Sequence, residues 1–294
     1  MNIAIPSVAI PVFHDIAQCL ESIKSIVGIT PVLWNADHKS IIDMFDETRP
    51  DIVLFHETHL DNAFPIICQD FDFKYILVAQ NPYDSLPKEP EAIITLSELK
   101  KHFPTHSNVK EMREYARLAQ IHGAQYTESL QSEVLVCTGG YEVNNDILEI
   151  LNLLSSLYNT KIIGVQSVPL HHYLGTVDMF ERSNFIKSTQ VVVDMYGNNF
   201  WDSSYLKAAP VCMQNSPSHA LNFDTLPLLK DHIDSLLKDS EKRKEYNNLC
   251  YEKVKENNTS YNFVSELFKS IKEEEIGKAL ESFATNIFNE ENKK

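Results

Sequence analysis

Glycine is scarce, with 8 in 294 residues. After the first apolar run, residues 3–5, the chain reads Pro6-Ser7-Val8-Ala9-Ile10-Pro11, with no glycine where a dinucleotide-binding turn carries G-x-G-x-x-G. Backbone of that composition cannot approach a pyrophosphate closely, which argues against a nicotinamide or flavin cofactor in this half. The five cysteines, Cys19, Cys68, Cys137, Cys212 and Cys250, show no C-x-x-C spacing. They read as reduced core thiols of a cytoplasmic chain, not as a metal or disulfide framework. No apolar run approaches the ~18 residues of a membrane span. The start, MNIAIPSVAI, lacks the basic region and cleavage site of a signal peptide. Positive charge is also short: 26 Lys and Arg against 41 Asp and Glu give a net charge of −15. That balance opposes general affinity for nucleic acid, so any basic groove would have to be local. There is no internal repeat and no low-complexity segment.

What is present centres on residues 191–212, VVVDMYGNNFWDSSYLKAAPVC. Val191, Val192 and Val193 form too short a run for a packed helix and, being β-branched, read as an inner strand of a parallel sheet. Asp194 to Asn199 include Gly197 and two Asn, a turn composition. A short helix follows with Trp201, Tyr205, Ala208 and Ala209 on one side; Pro210 ends it and Val211 opens the next strand. Such a unit places free N–H groups at the carboxyl edge of a sheet, where α/β proteins hold anions; a purely structural βαβ unit has the same pattern.

In the first half, residues 3–5, 31–34, 52–55, 75–79 and 92–95 read as strands, and 15–27 and 39–48 as amphipathic helices. The alternation predicts a parallel sheet covered by helices on both faces. His14-Asp15 closes the loop after the first strand, HETHLD (56–61) follows the third and QNPYD (80–84) the fourth, so the three gather at one edge. Glu57, His56, His14 and Asp61 are the candidates for a general base, and Gln80, Asn81 and Asp84 stand beside them on the acceptor side. The plainer reading is that Asp15 and Asp61 cap helices while His56 packs. His56, His59 and Asp61 are metal-ligand types, but their spacing is not H-E-x-x-H and a loop offers no fixed i,i+4 face, so no metal site is expected. Residues 109–121 read as a helix with Met112, Tyr115, Ala116 and Ala119 on one side, stopped by Gly123 and joining two domains.

The second half begins with a strand at 134–137 followed by Thr138-Gly139-Gly140-Tyr141, the only Gly-Gly of the chain. Two glycines let amides approach a phosphate, or simply let the chain turn tightly into the helix at 146–158. A strand at 161–165, the pair His171-His172 (metal-ligand types, but adjacent side chains usually point apart) and a helix at 179–187 lead into the central stretch. Beyond it come helices at 228–237, from Asp239 or Ser240 through Lys255, and at 261–271. An amphipathic tail closes the chain with Ile276, Leu280, Phe283 and Ile287. The expected division is 1–125, 126–270 and a crossing helix and tail at 271–294.

The order strand-TGG, helix, strand-IIGV, YLGTVD, helix, VVVD, then a helix ending AAPV resembles the nucleotide-sugar domain of GT-B glycosyltransferases. The close, a D-S-E-K-R helix start and a T-S-Y before the helix at 261–271, is similar to that family's end. The resemblance covers residues 133–271 and is greatest to phage DNA glucosyltransferases and to spore-protein or surface-polysaccharide enzymes. It implies two Rossmann-like parallel-sheet domains facing across a cleft, with a nucleotide-sugar donor on the second and an acceptor on the first. It further implies a cytoplasmic enzyme whose chemistry needs no metal and no cofactor beyond the donor. Gly139, Gly140, Asn198, Asn199, Asp202 and Ser203 are the implied donor-binding residues. Where many GT-B enzymes carry a ribose-binding Glu, this chain has Ser203, so either Asp202 takes that role or the ribose contact is altered. Ala208 likewise stands near a usual Gly.

The resemblance therefore implies transfer of a sugar to a hydroxyl of a glycan, a small molecule or a modified base in viral DNA. A DNA acceptor would require Lys88, Lys100, Lys101, Lys110 and Arg113 to gather at the acceptor loops. In the inverting phage β-glucosyltransferases an Asp follows the strand corresponding to 75–79. Here Gln80-Asn81 stands there, and neither amide accepts a proton at neutral pH, which passes the duty to Glu57. The alternatives are a non-catalytic nucleotide- or sugar-binding protein and a sugar-nucleotide epimerase.

Overall fold

A computed structural model describes residues 1–7, 10–35, 38–60, 62–79, 81, 86–95, 100–101, 103, 106–112, 114–138, 143–164, 170, 172–195, 199–213, 217–256 and 258–291. The chain forms two compact units, one of residues 1–113 with 260–294 and one of residues 114–259. Residues 114–125 thus group with the second unit and 260–270 with the first, unlike the division drawn from sequence.

The first unit is built on six parallel strands: β1 (Asn2–Pro6), β2 (Thr30–Trp34), β3 (Ile52–His56), β4 (Lys74–Val78), β5 (Ala92–Thr95) and β6 (Val109–Glu111). Their order is β2-β1-β3-β4-β5-β6. Between them run α1 (Pro11–Val27), α2 (Ile41–Thr48) and α3 (Phe64–Asp70). Helix α1 begins at Pro11 because proline suits the first turn, where its missing N–H leaves nothing unpaired. It ends at Gly28, whose φ of 65° only glycine adopts without strain, with the Gly28 N–H donating to the Lys24 carbonyl. Ser40 caps α2 by accepting from the Asp43 N–H. One face of the sheet packs on an aromatic cluster. Phe55 and Phe64 meet edge to face with centroids 5.6 Å apart, and Tyr75 lies 5.4 Å from Phe64.

The second unit carries β7 (Ser132–Cys137), β8 (Thr160–Ile163), β9 (Thr189–Asp194), β10 (Ala209–Cys212) and the short β11 (Leu221–Asn222). All are parallel, in the order β11-β10-β9-β7-β8. Its helices are α4 (Leu118–Ile121), α5 (Asn145–Leu157), α6 (Met179–Lys187), α7 (Phe200–Tyr205), α8 (Leu226–Lys238) and α9 (Ser240–Lys255). The valine run reads correctly: Val191, Val192 and Val193 are fully buried in the middle strand. Asn144 and Asp178 cap α5 and α6, and Asp239 caps α9. The chain then returns to the first unit as α10 (Ser260–Ser270) and α11 (Glu274–Glu291), which pack on α1 and on each other. Among the described residues no helix is long and apolar enough to cross a membrane.

Two sequence expectations fail for identifiable reasons. Residues 109–121 are not one helix. Val109 to Glu111 extend the sheet instead, flanked by Ile93 N–H to Asn108 carbonyl and Met112 N–H to Thr95 carbonyl bonds of 3.0 and 2.7 Å. A three-residue edge strand gives no readable period, and the spacing of Met112, Tyr115 and Ala119 imitates a helical stripe. Pro210, expected to end a helix, lies inside β10. It is tolerated because β11 pairs only with Val211 and Cys212, leaving the Pro210 level at the sheet's open side. There its carbonyl accepts from the Tyr246 hydroxyl of α9 at 2.8 Å.

Candidate functional site

At the carboxyl edge of the first sheet, His56 ends β3 and the 3-10 turn of Glu57, Thr58 and His59 follows. The turn is held by its own histidines. His56 Nδ1 accepts from the Thr58 N–H at 3.3 Å, and His59 Nδ1 accepts from the His56 N–H at 3.1 Å. The His59 ring also leans on Trp34, centroids 5.3 Å apart, at the end of β2. These Nδ1 atoms serve the backbone, and among the described residues no group of three His, Cys, Asp or Glu is arranged to hold a metal ion.

Glu57 is half-buried and oriented from the next loop. Asn81 donates its backbone N–H to Oε2 at 2.8 Å and its side-chain amide to Oε1 at 2.6 Å. Glu57 and Asn81, drawn from separate loops in the sequence, are thus brought together. His14 is not: α1 begins early enough to carry it as an exposed helix residue, with Asp15 buried beside it. Asp61, Gln80 and Asp84 lie outside the described residues, as do Gly139, Gly140 and Asn198. Of the cations considered for DNA, Lys100 lies 3.7 Å from Glu111, and Lys88 lies over the Phe73 ring and bonds its carbonyl. Arg113 is outside the described residues.

The second sheet ends in a level row, since Cys137 of β7 and Cys212 of β10 both pair with Asp194 of β9. Asp194 is buried and accepts the Asn199 N–H at 2.5 Å, which ties the residue before α7 to the end of β9. Asp202, in the first turn of α7, is 1% exposed and does not face solvent. Its carboxylate takes the Arg117 N–H at 2.9 Å, Arg117 Nε at 3.0 Å and an Arg117 terminal nitrogen, while Arg182 of α6 lies 3.6 Å away. Ser203 is fully buried, and its hydroxyl has no hydrogen-bond partner. Neither residue at the expected ribose position therefore presents its side chain to solvent. The Asp202 carboxylate instead faces Arg117 and Arg182.

Sequence reading missed Glu114, Arg117 and Arg182, which with Asp194 and Asp202 make a five-residue charged cluster at this edge. Burial, then the facing Asp194 and Asp202, push the Glu114 carboxyl up to about 7, against the pull of Arg117. Burial, then Arg117, hold the Arg182 guanidinium below its ordinary value. Burial and Asp194 push the Cys137 thiol up to about 12, so it stays protonated. Arg117 and Asp202 are 85 positions apart, and no local pattern announces such a pair.

No family model and no curated protein sequence matches this chain. Solved structures do. A glycosyltransferase from Rickettsia africae ESF-5 matches with TM-score 0.64 at 9% identity, over 92% of this chain and 97% of that one. Sucrose-phosphate synthase from Thermosynechococcus elongatus matches with TM-score 0.62 at 8% identity, over 92% and 98%. UDP-GlcNAc 2-epimerase from Neisseria meningitidis, solved bound to UDP-GlcNAc, matches with TM-score 0.52 at 10% identity, over 84% and 94%. At such identities the likeness is one of architecture, and it agrees with the two parallel sheets of six and five strands described above. The chain has the GT-B glycosyltransferase fold.

Proposed function

We propose that this protein is a glycosyltransferase that moves a sugar from a nucleotide-sugar donor to an acceptor hydroxyl. The observation that carries the reading is the fold agreement with a glycosyltransferase along nearly the whole of both chains. In this reading the donor is held at the carboxyl edge of the second sheet, by the Gly139-Gly140 turn and the Asn198-Asn199 crest. Glu57 is the base that removes the acceptor proton, with Asn81 fixing the direction of its lone pairs as an orienting partner does. A carboxylate so held is set for one proton and one acceptor geometry, which supports Glu57 over His56, whose Nδ1 is committed to its own turn. Asp61, Gln80 and Asp84 remain proposed as acceptor-side neighbours, and the acceptor is a glycan, a small molecule or a modified DNA base. The chemistry is proposed to run without a metal, so chelation should leave turnover unchanged.

A second reading, epimerisation or hydrolysis of a UDP-sugar, is favoured by the UDP-GlcNAc 2-epimerase neighbours at TM-scores of 0.51 and 0.52. One experiment separates the two. The protein is incubated with a panel of nucleotide-sugars, with and without small glycans and hydroxymethylated DNA, and products are read by mass spectrometry. Nucleotide release that depends on an acceptor, with a glycosylated product, supports transfer. An epimerised or free sugar without acceptor supports the second reading. Binding of a nucleotide-sugar with no turnover points to a non-catalytic binding protein.

A further inference from the structure

The two histidines of the turn after β3 are fixed by the chain around them. The Thr58 N–H is a donor and nothing else, and it gives its hydrogen to His56 Nδ1 at 3.3 Å. Nδ1 therefore carries no hydrogen, and the Thr58 hydroxyl, 2.9 Å from the same atom, donates to it as well. His59 is set the same way, its Nδ1 accepting the His56 N–H at 3.1 Å. In a neutral imidazole the bond made by one nitrogen decides where the hydrogen sits, so each ring carries it on Nε2.

For His56 this leaves one outward group. Its ring is half-buried, no bond among the described residues reaches Nε2, and that atom is not sealed from solvent. The ring has its lone pair committed to the turn and offers an N–H donor only. Its neighbour offers the opposite: Glu57, whose oxygens are held by Asn81 at 2.8 and 2.6 Å, is as a carboxylate an acceptor only. His56 pairs with Val78 of β4, so both groups stand where the loop carrying Asn81 leaves the sheet.

We propose that His56 binds the acceptor through Nε2–H, donating to an oxygen next to the hydroxyl whose proton Glu57 removes. This rests on the reading of Glu57 as the base and names the group that holds the substrate against it. A donor beside a proton acceptor matches a molecule with a hydroxyl and a second oxygen on neighbouring carbons, as in a glycoside ring. In the transfer the acceptor oxygen bonds to the anomeric carbon as that carbon's bond to the donor phosphate breaks. The hydroxyl proton passes to Glu57, and His56 exchanges none.

Two experiments test the assignment. The first is a long-range proton–nitrogen correlation spectrum at pH 8, where an imidazole is neutral. The His56 signals, identified by their loss in His56→Asn, should show Nε2 protonated and Nδ1 bare; a hydrogen on Nδ1 overturns the inference. The second is kinetics with the methyl glycosides of glucose, galactose and mannose, using whichever nucleotide-sugar turns over. His56→Asn keeps an oxygen to cap the Thr58 N–H but lacks the outward donor. Its urea midpoint should match wild type while the acceptor KM rises about tenfold, the weight of one hydrogen bond, with kcat and the donor KM unchanged. His56→Gln, whose amide nitrogen reaches the Nε2 position, should recover part of the loss. An acceptor stripped of the oxygen beside its reacting hydroxyl should bind wild type more weakly and His56→Asn no more weakly than before. An unchanged acceptor KM in His56→Asn overturns the inference and leaves the glycosyltransferase reading standing. So does a KM that rises only together with a lowered urea midpoint, which assigns His56 to the turn alone. Loss of kcat without change in KM makes His56 the base and overturns it too, as does transfer to hydroxymethylated DNA and to no glycoside. Absence of any glycosylated product overturns both readings.

Discussion

Asp202 and Glu114 are two acids of one cluster with opposite effects on the folded state. Asp202 is a buried anion answered by guanidinium bonds. Removing its charge strands Arg117, 16% exposed, and Arg182 without a counter-ion. Asp202→Asn should destabilise the second unit by about 3–5 kcal/mol, the usual cost of breaking a buried ion pair by removing one partner. A urea midpoint unchanged from wild type, with only nucleotide binding lost, would favour the ribose role, one of the two alternatives the sequence left open for Asp202. Glu114 is the reverse case: its folded value of about 7 lies above its ordinary 4.5, so the folded protein holds a proton that the unfolded chain has released. Its contribution is complete below the ordinary value, shrinks as pH climbs to about 7 and is gone above it. Melting curves at pH 5 and pH 8 should show a smaller loss for Glu114→Gln than for wild type. On the first sheet, Glu57→Gln should lower kcat by ~10²–10⁴ while donor affinity is retained, as for a lost general base. Near-full turnover in that variant would make the Glu57–Asn81 pair a loop fastening only.

Elements whose residues announce a period or a cap were legible in the sequence, and those made by pairing at a distance were not. The helix at 179–187 was placed to the residue, because Asp178 caps its start and a strand begins directly after its end. The strand of Val191 to Val193 was legible because only a doubly buried strand tolerates three such residues in a row. Strand β6 was missed because its reason for existing lies in β5, not in its own three residues. The same holds at the site. Asp194 and Asp202 stand in a stretch picked out by its composition, whereas Arg117, Arg182 and Glu114 come from segments with no motif of their own. Tyr246 illustrates how such distant pairing is made: its hydroxyl donates to the Pro210 carbonyl and accepts the Leu221 N–H at 3.0 Å, tying α9 to both β10 and β11. Tyr246→Phe should cost about 1–3 kcal/mol by leaving those groups unpaired, and hydrogen exchange at Leu221 should quicken. Exchange at Leu221 as slow as in the wild type would mean that β11 is held by its pairing with Val211 and Cys212 alone.

At the scale of the molecule, the first unit is assembled from both ends of the sequence, with the second unit set into it as one continuous insert. Helices α10 and α11 complete the cover over α1: the Tyr261 hydroxyl donates to Ser22 at 2.9 Å, and the Tyr261 and Phe283 rings lie 5.3 Å apart. A chain ended after Thr259 should therefore keep a folded second unit and lose the first. A fluorescent dye for exposed apolar surface should bind it, and a donor that binds the full-length protein should still be bound; a dye-silent truncated chain would show that the first unit closes without α10 and α11. The same arrangement sets a schedule for the newborn polypeptide. On a ribosome adding ~5–20 residues per second, the stretch from Val27 to Ser260 takes on the order of 10–50 s to emerge. Throughout that interval Cys19 and Ser22 of α1 wait for Ser260 and Tyr261, not yet translated, while the insert already has every strand and helix of its own. The unit encoded first is the one finished last, and it is the half whose unfinished apolar surface a chaperone would have to guard.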